Sequence, residues 1–155
     1  MISGPLSLCG YNAYLIGYNR ARQHTEGYYS PGLPRLNRDL PPGSKVLCVG
    51  NAVVFAAEFP NVYNTVFDYS IFDQWFATEQ PGVPPGEWKL RPVDEIRRKL
   101  SDEGITHIYV NWSEILRYRH AGSYGYSDFV TPQRFAELQQ MGILGPQWPI
   151  TDPSG

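Results

Sequence analysis

Positive charge is the first thing this sequence lacks. Its 13 Lys and Arg are outnumbered by 15 Asp and Glu, giving a net charge of −2 and a pI near 5.9, and no basic run is present. Nucleic-acid binders draw their affinity from phosphates neutralised by clustered Lys and Arg, so that class of partner is set aside. Long apolar runs are missing too. Residues 52–57 form one of the longest, far short of the ~18 residues a bilayer-spanning helix requires, and the chain as given is not expected to cross a membrane. Residues 1–17 carry no positive leader region and are broken by Gly4, Pro5, Gly10 and Asn12, so they do not read as a secretory signal.

Chemistry-bearing side chains are equally sparse. The two cysteines, Cys9 and Cys48, form no C-x-x-C pair, which removes zinc and redox motifs while leaving one disulfide open. Cys48 sits inside the apolar run Val46-Leu47-Cys48-Val49 and reads as a small buried hydrophobe. His24, His107 and His120 are the only histidines, and none lies at i,i+4 from another or in H-E-x-x-H, so no metal site is expected. His107 falls in an expected strand and reads as a neutral core residue. There is no G-x-S-x-G elbow, and neither cysteine has neighbours that would favour a thiolate. Nucleophilic catalysis has no support. The acidic pairs Asp128 with Glu137 and Asp68 with Asp73 read as surface carboxylates rather than a glycosidase dyad. The sequon Asn111-Trp112-Ser113 is too short a match to argue from. No catalytic residue, metal or cofactor is expected.

What remains is the composition of a folded domain. The 155 residues suit one unit, 42% are hydrophobic against 18% charged, and 14% are aromatic, with 11 Tyr and 4 Trp. A chain of this size buries roughly 70% of the surface its unfolded form exposes, enough for a core without staples. We divide it into an N-terminal extension over residues 1–35, partly helical and packing on the core, an α/β domain over 36–145, and a Pro-rich tail over 146–155. No internal repeat is found.

Periodicity and punctuation give the core its order. The run 45–49, bounded by Gly43 and Gly50, has the continuous apolar character of a strand covered on both faces, and residues 106–110 supply a parallel partner. Between them, Asn51 reads as a cap for a short helix over 52–58, followed by a β-rich run over 61–67 that ends at Asp68. Ile71, Phe72, Trp75 and Phe76 make a helical stripe, and residues 80–86 form a Pro/Gly loop. Pro92 opens the clearest helix, with Val93, Ile96 and Leu100 on one face and Gly104 as its stop. Ser113 reads as the cap of a short helix reaching Arg119, and Thr131-Pro132 opens another. The pattern predicts a small three-layer, Rossmann-like α/β domain with a mainly parallel sheet.

Gly50 at the first strand's end and Asp68 at the next strand's end imitate a nucleotide site, the acidic residue suiting a ribose. A dinucleotide fingerprint needs G-x-G-x-x-G, and only Gly50 is present, so the residues favour a tight turn. Ligands in open α/β sheets gather outside the carboxyl ends of the strands. That rule nominates Asn51, Asp68, Asn111 and Glu114, joined by Tyr124 and Tyr126 from the aromatic loop over 120–129, a Tyr/Gly/Ser composition suited to adaptable recognition.

Several phrases together carry a resemblance. Leu40-Pro41-Pro42-Gly43-Ser44-Lys45-Val46-Leu47-Cys48-Val49-Gly50 leads to Val62-Tyr63-Asn64-Thr65-Val66-Phe67-Asp68, then to Ile96-Arg97-Arg98-Lys99-Leu100 and Gly104-Ile105-Thr106-His107-Ile108-Tyr109-Val110-Asn111-Trp112-Ser113-Glu114. Over about residues 36–145 this resembles the soluble C-terminal domain of bacterial multi-pass membrane glycosyltransferases similar to dolichyl-phosphate-mannose protein mannosyltransferases. In that family the membrane part holds the lipid-linked sugar donor and an acidic residue on its first outer loop does the chemistry, and neither is in this chain. The resemblance implies a non-catalytic accessory domain on the extracytoplasmic face, with a glycan, an acceptor protein or a membrane-embedded transferase part as partner. The competing expectations are a small nucleotide- or S-adenosylmethionine-binding enzyme using Gly50 and Asp68, and a structural protein-interaction module.

Overall fold

A computed structural model describes residues 32–119 and 126–148. The expected helix within residues 12–23, Cys9, His24, His120, Tyr124 and the end of the Pro-rich tail lie outside the described residues. Three parallel strands, β1 (Val46–Val49), β2 (Asn61–Tyr63) and β5 (His107–Val110), form the main sheet in the order β2-β1-β5. The expected parallel pair is present, with Val46 opposite His107 and Val49 opposite Val110. β2 pairs on the other side, Val46 opposite Asn61. This is a small α/β fold.

The central strand explains the apolar run. All four β1 residues are buried, and alternate side chains enter different clusters. Val46 and Cys48 join Leu33, Leu36, Val54, Ala56 and Tyr109, with Leu33 and Leu36 supplied by α1 (Leu33–Asp39). Leu47 and Val49 join Phe72, Phe76, Ile96, Ile115, Phe129 and Leu138, drawn from α2 (Ile71–Phe76), α3 (Val93–Asp102), α4 (Trp112–Arg117), α5 (Pro132–Gln140) and the segment before α5. Phe72 anchors that side, stacking on Phe76 at 4.4 Å and on Phe135 at 4.9 Å. Burial raises the Cys48 thiol to about 12, so it is an inert packing residue, as its apolar run predicts.

Two local expectations are corrected and a third is refined. Residues 52–58 form no helix but an irregular connection with a turn at Phe55 and Ala56. Val53, Val54 and Phe55 are weak helix formers, and the segment is closed off by Pro60. Asn37 supplies what a helix would have: its Nδ2 donates to the Ala56 carbonyl at 2.9 Å and its Oδ1 accepts from the Glu58 N–H at 2.8 Å. Residues 80–86 are framed by two short antiparallel strands, β3 (Ala77–Thr78) and β4 (Lys89–Leu90), with Trp88 Nε1 donating to the Val83 carbonyl at 2.9 Å. Finally, α4 is capped by Asn111, whose Oδ1 accepts from the Glu114 N–H at 3.3 Å, while Ser113 Oγ donates to the same oxygen at 2.7 Å. Thr131 caps α5 as expected.

Gly50 is where the sheet meets α4. Its φ is +79°, and a Cβ there would lie 2.5 Å from Ile115 Cγ1 and 2.6 Å from the Asn111 carbonyl oxygen. Gly43 has a similar φ of +81° but open space around it. Gly43→Ala isolates the left-handed strain, expected at about 1–2 kcal/mol. Gly50→Ala adds a clash with backbone and is expected to lose at least about 2 kcal/mol more than Gly43→Ala. Urea midpoints of the two variants measure the difference.

Candidate functional site

The carboxyl ends of β1 and β5 open onto a cleft lined by the turn at Gly50 to Val53, by Val66, by Glu114, Arg117 and Tyr118, and by Tyr126. Parallel pairing causes this convergence, because each strand finishes at the same edge and hands its chain to a different connection. Of the residues nominated from sequence, Asn51, Glu114 and Tyr126 meet in this cleft. Asn111 is buried beside it, its side chain serving as the α4 cap. Asp68 is elsewhere. Its carboxylate accepts from the Thr65 N–H at 2.9 Å and Thr65 Oγ1 at 2.8 Å in an exposed turn, and the Thr65 backbone bond chiefly holds its pKa below the usual carboxylate value.

The cleft's polar chemistry centres on α4. Arg117 Nη2 donates to Glu114 Oε2 at 2.6 Å and to the Tyr118 hydroxyl at 2.7 Å, and its guanidinium lies 4.5 Å from the Tyr118 ring centre. Glu114 was foreseen but its two companions were not. They occupy the i+3 and i+4 positions after it, a spacing that sequence alone could have flagged once α4 was placed.

Tyr126 forms the wall opposite. Burial raises its phenol pKa, while hydrogen bonds from the Gly50 backbone N–H and the Asn64 side chain work in the other direction. The enclosed space is about 70 Å³, against roughly 300–1,000 Å³ for pockets that bury a whole cofactor-sized ligand. The arrangement accommodates the edge of a small hydroxyl-bearing molecule: a carboxylate and a guanidinium already neutralise each other, the half-buried Tyr118 lies beside them, and the buried Tyr126 lines the wall. Among the described residues, no cluster of three His, Cys, Asp or Glu is placed to hold a metal ion.

Behind Tyr126 lies a group that sequence reading took for a surface carboxylate. Asp73 is 2% exposed in the first turn of α2, where its N–H donates to Ser70 Oγ at 3.3 Å. Burial drives its pKa up to about 6, held back by hydrogen bonds from Ser127 and Ser70 and by the Arg119 charge, with Glu79 adding to the rise. Arg119 itself grips the chain that carries Tyr126, donating to the carbonyls of Tyr126 at 3.3 Å, Ser127 at 2.6 Å and Val130. Arg119 thus fastens the segment 126–130 to the end of α4, beside the buried Asp73 of α2, whose Oδ1 has no hydrogen-bond partner among the described residues. No protein-family model, curated protein or solved structure is detectably similar to this chain, so the site's own chemistry bears the functional argument.

Asp73 makes stability depend on pH in a direction opposite to a salt-bridged carboxylate. Its proton is held more tightly in the folded chain, at about 6, than at the ordinary value of 3.8. Its contribution is therefore fully present below about pH 4 and is lost as pH rises through 6, a cost on the order of 3 kcal/mol at neutral pH. Asp73→Asn is expected to be more stable than the parent at pH 7.5, by about 1–2 kcal/mol after allowance for altered hydrogen bonding. The advantage is expected to vanish near pH 4. Paired thermal melts across that range check the crossover.

Proposed function

We propose that this chain is a non-catalytic accessory domain related to the soluble domain of bacterial multi-pass membrane glycosyltransferases, and that it binds acceptor carbohydrate in the cleft at the carboxyl edge of its sheet. On this reading the core is a three-layer, Rossmann-like unit. It works on the extracytoplasmic face of the membrane, beside a membrane-embedded transferase part. The observation that carries the reading is the composition of the cleft: a self-neutralised Glu114–Arg117 pair flanked by Tyr118 and Tyr126. Carboxylate and guanidinium together accept from and donate to sugar hydroxyls, and aromatic faces pack against the apolar face of a pyranose ring.

The competing enzyme reading, a small nucleotide- or S-adenosylmethionine-binding protein, meets two obstacles. Gly50 is pressed against Ile115 and the Asn111 carbonyl, and Asp68 lies outside the cleft, in a turn of its own. These are the very residues that reading needs.

A shallow site of this size is expected to bind sugars weakly, with Kd of about 1 mM or above. Titration of ¹⁵N-labelled protein with methyl mannoside and methyl glucoside is expected to shift the amides of residues 50–53 and 114–118. The double variant Glu114→Gln, Tyr118→Ala is expected to weaken those shifts at least about tenfold. Thermal stabilisation by ATP, NAD or S-adenosylmethionine, with none from either sugar, would replace this reading by the enzyme one.

A further inference from the structure

A second surface lies beside the cleft and is built from other side chains. Between Lys45 and Lys89 the sequence contains no Lys, Arg or His, yet it carries Glu58, Asp68, Asp73, Glu79 and Glu87. This cation-free stretch includes β2, the connections on either side of it, and α2. Its exposed side is aromatic: Phe67 is 76% exposed, Phe55 59%, Tyr69 50% and Tyr63 42%. Isolated exposed apolar residues are ordinary. Here they are joined to carboxylates, since Asp68 stands between Phe67 and Tyr69, and the Tyr69 hydroxyl donates to Glu79 Oε1. Phe55 belongs to the connection that meets Val66 in the wall of the cleft, so the two loops lie side by side.

We infer that this aromatic and acidic rim, formed by Phe67, Asp68, Tyr69 and Glu79 with Phe55 in the neighbouring loop, is a docking surface for a cationic, extended segment of a protein partner. Charge complementarity identifies the occupant. A guanidinium or ammonium placed over a Tyr or Phe face is attracted by the ring quadrupole, and a neighbouring carboxylate adds a charge-assisted hydrogen bond. Among the described residues, two nearby cations are already engaged: Arg117 with Glu114 and Tyr118, and Arg119 with three backbone carbonyls. Exposed rings alone would also suit a lipid interface. Asp68 and Glu79 argue against an anionic leaflet, whose surface potential repels carboxylates. The surface is independent of the sugar-binding cleft, and its test reads a different ligand.

A fluorescein-labelled peptide of alternating Arg and Leu is the probe, with an alternating Glu and Leu peptide as control, both followed by anisotropy against the full chain. The cationic peptide is expected to bind and to weaken as salt is raised, and the acidic peptide is not. Phe67→Ser combined with Tyr69→Ser is expected to weaken binding by at least about tenfold. Asp68→Asn with Glu79→Gln preserves hydrogen-bond acceptors and is expected to weaken binding while flattening its salt dependence. A melting curve for each variant confirms folding, and Phe55→Ser, in the neighbouring loop, gives an independent variant if either double mutant unfolds. Equal binding of both peptides, or cationic binding indifferent to all these variants, would overturn the inference. So would loss of sedimentation with phosphatidylcholine vesicles in Phe67→Ser, Tyr69→Ser with peptide binding intact, which would assign the rim to a bilayer.

Discussion

A parallel strand at the centre of a sheet has no wet face, and the rest of this domain follows from covering both sides of β1. Val46 and Cys48 require α1 and the connection after β1, while Leu47 and Val49 require α2 to α5. Each fully buried Val or Leu contributes roughly 1.5–3 kcal/mol, so four consecutive core positions form a dense source of stability for so short a strand. The same topology sends β1, β2 and β5 to one edge. The position of the candidate surfaces is therefore a consequence of packing before it is a matter of function.

The close approach of β1 to α4 shapes that edge. Gly50 lets Ile115 and the Asn111 carbonyl come within distances that no Cβ permits, and α4 then presents Glu114, Arg117 and Tyr118 together at the strand ends. On the other wall, Tyr126 is carried by a segment that Arg119 grips through three carbonyls, so polar contacts as well as hydrophobic burial position it. Keeping the neighbouring buried Asp73 ionised is unfavourable, and an apolar residue of similar size would pack without the penalty.

Much of the fold was legible because its signals are local. The β1 run, the Pro92 and Gly104 boundaries of α3 and the Thr131 cap of α5 are written in a few adjacent residues, and each lies within a residue or two of its expected place. The connection over 52–58 misled because short apolar runs fit several structures. The distant Asn37 braces this one, through hydrogen bonds to residues 19 and 21 positions away. Of the residues that line the cleft, Asn51 and Glu114 were nominated by the rule of carboxyl edges, which is a statement about topology, and Tyr126 by the aromatic composition of its loop. Asp73 was not, because burial of a carboxylate depends on Ser127 and Arg119, more than forty residues further along the chain. Asp68 was nominated by that same rule of carboxyl edges, and its bonds to Thr65 make it a local loop brace outside the cleft.

Charge separates the two surfaces at this edge more sharply than shape does. In the cleft, Glu114 and Arg117 sit 2.6 Å apart and present no net charge, so a neutral polyhydroxylated ligand exchanges water for paired groups without stranding an ion. On the rim, the bonds that Asp68 and Glu79 receive come from hydroxyls and a backbone N–H. Such donors stabilise a carboxylate without cancelling its charge. A neutral ligand there would shield two anions from solvent and gain nothing to compensate, whereas a cation removes the penalty and gains the ring faces as well. On the two proposals these surfaces differ in the chemistry they would select, and the selecting feature is whether each carboxylate has a cation partner among the described residues.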